Sequence, residues 1–209
     1  MSATAAQHNA APLATARTAL SLRTLYFVRA AFSVVWVVLV FVLASGVMTG
    51  PVGTATKPSI AAIILLTVYP LWDAAATFFD IRATAASGTH LPQYLNIVIG
   101  VLAAVGVLVA TLSSLTPALI AFGAWAFVSG AVQLFLGIRR RKPVGGQWPM
   151  IISGALSVLA GISFAVMSGA PKTGLTTLAG YSAFGAFWYL VGAILLIRAA
   201  RARASRPTS

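Results

Sequence analysis

Asp73 and Asp80 are the only acidic residues in a chain of 209 residues, and both lie in one apolar stretch, YPLWDAAATFFDIRA at 69–83. Seven residues along a helix span about 10 Å, which is too far for two carboxylates to share a proton as a catalytic dyad does. The chain has no cysteine, and its two histidines, His8 and His90, are far apart in sequence. It also lacks a glycine-rich phosphate loop. These residue types therefore predict no enzyme, no metal site and no cofactor.

The composition excludes a water-soluble domain. The chain is 59% hydrophobic and 8% charged, whereas soluble domains carry roughly 25% charged residues. The net charge of +12 would suggest a nucleic-acid partner in a soluble protein, but here the predicted partner is the lipid bilayer and not nucleic acid. Runs of about 20 apolar residues are long enough to span a membrane as helices. Six such runs are present, at roughly 24–47, 59–82, 93–113, 117–138, 148–168 and 175–198.

The basic residues between these runs predict the orientation of the chain. Lys57 and Lys172 fall on one side of the predicted membrane, and all other Lys and Arg fall on the opposite side. The positive-inside rule then places both termini in the cytoplasm, for a multi-pass protein of the inner or plasma membrane. We expect a disordered cytoplasmic tail at 1–21, a transmembrane domain at 22–200 and a basic cytoplasmic tail at 201–209.

The chain repeats itself. FGAWAFVSGA at 122–131 aligns with FGAFWYLVGA at 184–193, and VYPLWDAAATFFDIRA at 68–83 aligns with WAFVSGAVQLFLGIRR at 125–140. Two spans in each repeat keep all copies in the same orientation. The predicted fold is therefore an all-α membrane protein with six transmembrane helices in three tandem helical hairpins, at about 24–84, 93–141 and 147–201.

Two short stretches resemble a known family. They are AFVSGAVQL at 126–134, in the second helix of a repeat, and IISGALSVLAGISF at 151–164, in the first helix of the next. Both resemble the HdeD-like acid-resistance membrane proteins, also known as a short repeat of unknown function. The resemblance implies a six-helix inner-membrane protein associated with acid stress, and it brings no catalytic residues.

Glycines recur along one face of the fourth run. Gly123, Gly130 and Gly137 lie seven residues apart and therefore on nearly the same side of a helix. Small residues let helix backbones approach closely within a membrane. We predict that this line packs against another helix of the same chain, with a homo-oligomer interface as the alternative.

Polar residues form a stripe along the second span. Tyr69, Asp73, Thr77 and Asp80 share one helix face by their spacing. Asp80 is expected near the membrane interface, where a charge is less costly. Asp73 is expected deeper, where an ionised side chain costs roughly 2.5–3.5 kcal/mol, so it needs a partner from another helix.

Arg29 is the candidate partner of Asp73. It lies about 9 Å beyond Arg23 along the first span, and two antiparallel neighbouring spans can bring it to the depth of Asp73. In the second repeat the equivalent places hold Ile97 and Gly130, so the two charges occur together or not at all. Arg82 instead aligns with Arg139, which indicates that both arginines help to fix the orientation of the chain in the membrane. We predict a buried Arg29–Asp73 ion pair, either structural or functional.

Pro70 lies one turn before Asp73. A proline in a helix interior removes a hydrogen bond, here to the carbonyl of Leu66, and bends the helix. Such a bend is expected either to open a small polar pocket beside Tyr69, with Asn96 and Gln133 nearby, or to be an ordinary bend repaired by neighbouring groups.

Two functions follow from these patterns. The first is a non-enzymatic structural or stress-associated membrane component, as the HdeD-like resemblance implies. The alternative is a small-solute or proton-handling transporter or channel that uses Asp73 in a bent helix. Hairpins that all share one orientation lack the inverted repeat common among secondary transporters, which favours the first function.

Overall fold

The computed structural model describes residues 3–44, 58–83, 90–142, 147–168 and 175–204, and the regular elements among these residues are helices. They are α1 (Ala3–Ala44), α2 (Ile60–Ala83), α3 (Leu91–Thr111), α4 (Leu115–Arg140), α5 (Trp148–Met167) and α6 (Leu175–Ala204).

Each of the six apolar runs corresponds to one helix that is long and apolar enough to cross a membrane. Helices suit this environment because every backbone N–H and C=O must find a partner within the chain. Pro92 and Pro149 lie in the first turns of α3 and α5, where a missing N–H costs nothing because it would have no helical acceptor. The apolar runs, together with the prolines in the first turns, therefore account for the positions of these helices.

The start of α1 differs from the sequence prediction. A disordered tail was expected over 1–21, but the structure continues α1 back to Ala3. This segment is rich in alanine, which has the highest helix propensity of all residues. At the other end, α6 includes the first residues of the predicted basic tail, and 205–209 lie outside the described residues.

The six helices close into a ring. Each packs against the next one along the chain, and α6 packs against α1. Neighbouring helices run antiparallel: Arg29, near the start of the spanning part of α1, and Asn96, near the start of α3, both contact Asp73, in the second half of α2. In the same way, Gly123 early in α4 packs on Gly161 late in α5. The most extensive packing joins α4 to α5, α1 to α6 and α2 to α3. The tightest packing therefore lies between the predicted hairpins and not within them.

One half of the ring is filled by apolar side chains. Its buried core includes Trp36 and Val40 from α1, Leu66 from α2, Phe122 from α4 and Leu178 from α6. These residues come from the late part of α1 and the early parts of α2, α4 and α6, which an antiparallel arrangement brings to the same end. This end of the bundle is closed by packed side chains.

Glycines bring the backbones of α4 and α5 close together. A Cβ atom built on Gly161 would lie 2.6 Å from the carbonyl oxygen of Gly123 and 2.6 Å from the Phe127 nitrogen. One built on Gly130 would lie 2.9 Å from the carbonyl oxygen of Gly154. The glycine line of α4 thus packs against α5 of the same chain, as the sequence predicted. We call this contact the glycine seam.

Candidate functional site

Asp73 is the centre of a buried polar cluster in the half of the ring opposite the apolar core. Its Oδ1 accepts a hydrogen bond from Arg29 Nη1 at 2.9 Å. Its Oδ2 accepts one from Asn96 Nδ2 at 2.9 Å and one from Ser129 Oγ at 2.8 Å. The three donors lie on α1, α3 and α4, so this single carboxylate on α2 connects four helices.

Arg29 also has several hydrogen-bond acceptors around its guanidinium. Besides Asp73, its guanidinium donates to the Tyr189 hydroxyl at 3.0 Å and to Thr77 Oγ1 at 3.3 Å. Thr77 Oγ1 also accepts from Asn96 Nδ2 at 3.0 Å. A buried ion pair repays its desolvation only when further hydrogen bonds satisfy both partners, and this pair has such bonds on both sides.

Gln133 extends the cluster toward α5 and α6. Its Oε1 accepts from the Tyr189 hydroxyl at 3.2 Å, and its Nε2 donates to the carbonyl oxygen of Met150 at 3.5 Å. With these contacts, side chains or backbone atoms from all six helices meet in one hydrogen-bonded network.

Asp80 forms a second buried ion pair. It is 5% exposed, and its two oxygens accept from Arg140 Nη1 at 2.9 Å and Nη2 at 2.8 Å. The sequence placed Asp80 near the membrane interface and within the candidate polar site, but it identified no partner for it. In the structure α4 ends beside α2, so the terminal Arg140 turns inward and offers its planar guanidinium to the carboxylate in a bidentate arrangement.

A cavity of about 30 Å³ lies between the two ion pairs. A water molecule needs roughly 10–15 Å³ measured in this way, so the cavity accommodates one or two waters. The buried Asn96 Oδ1 has no hydrogen-bond partner among the described residues, and it belongs to a residue of the cavity wall. The wall includes Arg29, Asp73, Asp80, Asn96, Gln133 and Tyr189.

Tyr69 lies outside this cluster, although it shares a helix face with Asp73. Its hydroxyl is 2.9 Å from Ser182 Oγ, and its ring packs edge-on against Trp36 and Trp125. Four residues along a helix correspond to about 6 Å, which is enough to move Tyr69 from the polar half into the apolar half. The predicted grouping of Tyr69 with Asp73 in one site was therefore wrong.

Pro70 is buried inside α2, which continues as one helix from Ile60 to Ala83. Trp36 Nε1 donates to the carbonyl oxygen of Leu65 at 2.9 Å, one residue before the carbonyl that loses its helical donor. A Cβ atom on Gly100 would lie 3.1 Å from the carbonyl oxygen of Pro70, so α3 packs closely here. The cavity lies further along α2, and neither Tyr69 nor Pro70 lines it.

Three residues that hydrogen-bond to the two ion pairs were not predicted from the sequence: Ser129, Arg140 and Tyr189. Ser129 precedes Gly130, the residue that aligns with Asp73 in the repeat, and this adjacency was an available signal. Arg140 was assigned to a basic run that sets topology. Tyr189 comes from α6, which the sequence does not place beside α1. Among the described residues, no three His, Asp or Glu side chains lie together as metal ligands would.

Residues 95–166 match a family of short repeats of unknown function (DUF308). The chain is similar to this family over most of α3, all of α4 and nearly all of α5. The matched segment contains the glycine seam, Asn96 and Ser129, but neither Asp73 nor Asp80. No curated protein and no solved structure matches the chain. The repeat and the six apolar helices together fit a small multi-pass membrane protein.

Proposed function

We propose that this chain is a non-enzymatic, multi-pass membrane protein in which two buried ion pairs fix the arrangement of the helices, with a role in acid or stress resistance of the HdeD-like type. The observation that carries the proposal is the complete engagement of both carboxylates. Every side-chain oxygen of Asp73 and Asp80 accepts at least one hydrogen bond from a helix other than α2: from α1, α3 and α4 at Asp73, and from α4 alone at Asp80. Such carboxylates act as fixed links between helices.

The energetics of buried charge support this proposal. Removing one partner of a buried ion pair costs roughly 3–5 kcal/mol, whereas replacing both with apolar residues is often neutral. A pair of this kind contributes little net stability but strongly disfavours every arrangement of helices that separates it. Asp73 and Asp80 disfavour arrangements in which α2 is displaced from α1 or α4.

The size of the cavity argues against an enzyme or a solute carrier in this conformation. Ligand pockets usually measure roughly 300–1,000 Å³, and the cavity beside Asp73 measures about 30 Å³. On its other side, the ring is filled by the apolar core around Trp36, Leu66 and Phe122. Inside the ring, a solute would have neither a binding volume nor a polar path.

The association with acid or stress resistance rests on the repeat. The matched short repeat of unknown function is the domain found in HdeD-like membrane proteins. Cytoplasmic termini are supported by the described basic residues, because Arg23, Arg82, Arg139 and Arg198 come from helix ends that the antiparallel ring brings to one side. Lys57 and Lys172, the two basic residues expected on the other side, lie outside the described residues.

Proton handling is the second candidate, because a water-sized cavity touches both Asp73 and Asp80. An intramembrane carboxylate with access to water can take part in a proton relay. This function requires that the carboxylates exchange protons, whereas the structural role requires only that they stay paired.

Complementation of a deletion strain separates the two candidates. The strain receives the wild-type chain, Asp73→Asn, Asp80→Asn or Arg29→Ala together with Asp73→Ala, and acid survival is compared at equal abundance of the protein in the membrane. A structural role predicts that survival follows abundance, so that a well-expressed variant without the Asp73 carboxylate rescues the strain. An abundant Asp73→Asn protein that fails to rescue, and that also loses proton flux in proteoliposomes, would overturn the structural proposal.

A further inference from the structure

A groove of about 540 Å³ lies between α1 and α2 and shares Leu25 with the wall of the buried cavity. Its walls are mainly apolar, with Leu25 and Val28 from α1 and Trp72, Ala76 and Phe79 from α2. Val28 is 43% exposed and Phe79 is 56% exposed. The groove therefore opens toward the surroundings of the bundle, which for membrane-spanning helices are lipid chains.

The groove has the length of one membrane leaflet. Trp72 lines it at one end and Arg82 at the other. Ten residues of helix separate them, or about 15 Å, which is half of a hydrocarbon core of about 30 Å. An acyl chain whose headgroup lies at the level of Arg82 would reach the middle of the bilayer beside Trp72.

Arg82 provides a positive charge at the end of the groove that faces the headgroups. The chain has only two acidic side chains, and these are engaged by Arg29 and Arg140. Arg82 is exposed, with its guanidinium carbon 4.7 Å from the centre of the Phe78 ring. The negative headgroup of an anionic lipid would complement this exposed charge, because basic residues near a membrane surface attract anionic lipids.

We propose that this groove binds one anionic phospholipid, with an acyl chain along Val28 and Phe79 and the phosphate on Arg82. The planar guanidinium suits this task, because its N–H groups match two phosphate oxygens at once. The apolar walls fix the position of the chain, and the charge selects the headgroup.

Native mass spectrometry of the full-length protein tests the headgroup. The protein is released from nanodiscs that contain equal amounts of phosphatidylglycerol and phosphatidylcholine, and retained lipids are counted. We expect one retained lipid, with phosphatidylglycerol favoured about fivefold, the ratio expected for one basic residue near the surface. Arg82→Gln should abolish this preference. Arg139→Gln, which removes an exposed charge at the aligned position of α4, should preserve it.

A second pair of variants tests the groove itself. Val28→Trp fills the groove and should remove the retained lipid whatever its headgroup. Val35→Trp introduces the same side chain at a site on α1 that is 57% exposed and outside the groove, and should retain the lipid. Thermal unfolding in detergent verifies that both variants fold.

Three outcomes would overturn the proposal. Equal retention of the two lipids by the wild-type protein would show that charge does not select the headgroup. An equal loss of preference in Arg82→Gln and Arg139→Gln would indicate diffuse attraction to the basic face. A dimer that Val28→Trp dissociates would show that a second copy of the chain occupies the groove.

Discussion

Two contacts between neighbouring helices are built in opposite ways. At the glycine seam, α4 and α5 lie so close that a single added methyl group at Gly161 would meet backbone atoms of Gly123 and Phe127. Between α1 and α2 the packing is sparse, large side chains separate the backbones, and a groove lies along the contact. There the helices are connected by Arg29 and Asp73.

The difference shows two ways to associate helices where lipid removes the hydrophobic driving force. One uses close van der Waals contact between small residues, and the other uses interhelical hydrogen bonds. The segment that matches the short repeat contains the glycine seam, whereas the two acidic residues lie outside it. The acidic side of the charged connection therefore comes from α2, outside the matched segment.

The largest expected effect comes from breaking the charged connection. Arg29→Ala leaves Asp73 buried without its ionic partner, and we expect a loss of about 3–5 kcal/mol in the free energy of unfolding. The double variant Arg29→Ala/Asp73→Ala should recover much of this loss. Unfolding in detergent with increasing denaturant measures both.

Arg139→Ala serves as the matched control, because it removes an exposed charge from the same end of the bundle and should change stability little. A double variant as unstable as Arg29→Ala would show that the two residues do not act as a pair.

An intermediate effect is expected at the glycine seam. Gly161→Ala places a methyl group 2.6 Å from two backbone atoms, so α4 and α5 must move apart, at a cost of about 1–3 kcal/mol for overpacking. Gly106→Ala is the control, since a methyl group there meets nothing within 4 Å and alanine has the higher helix propensity. Thermal unfolding of the two variants side by side gives the comparison. If both melted like the wild type, the seam would have to be looser than the structure shows.

The smallest effect is expected from a neutral hydrogen-bonding group within the charged connection. Thr77→Val preserves the shape of the side chain but removes an acceptor used by Arg29 and Asn96. Each retains Asp73 as a partner, so we expect a loss of about 0.5–1.5 kcal/mol. A loss as large as that of Arg29→Ala would place the main connection at Thr77 and not at the ion pair. The same unfolding assay decides this.

The depth of a residue within the predicted membrane could be estimated from its position along a span. Matching these depths on neighbouring spans predicted Arg29 as the partner of Asp73, and the two side chains are 2.9 Å apart in the structure. No partner for Asp80 was identified in this way. Its partner Arg140 is 60 positions away along the chain on a helix that is not adjacent in sequence, and depth alone does not identify neighbours of that kind. Helix spacing grouped Tyr69 with Asp73 on one face of α2. Along its length, however, that face contacts the apolar core at Tyr69 and the polar cluster at Asp73.

The six helices follow from the sequence alone, because a bilayer requires long apolar segments whose backbone groups are hydrogen-bonded within the chain. The sequence also determined that a buried Asp73 needs a partner, because unpaired charge in such surroundings is costly. The sequence did not show that α6 closes the ring onto α1, that Arg140 turns inward to Asp80, or that the cavity between the two ion pairs admits little more than water. These outcomes depend on which helices become neighbours, and that is set by the packing of all six faces at once.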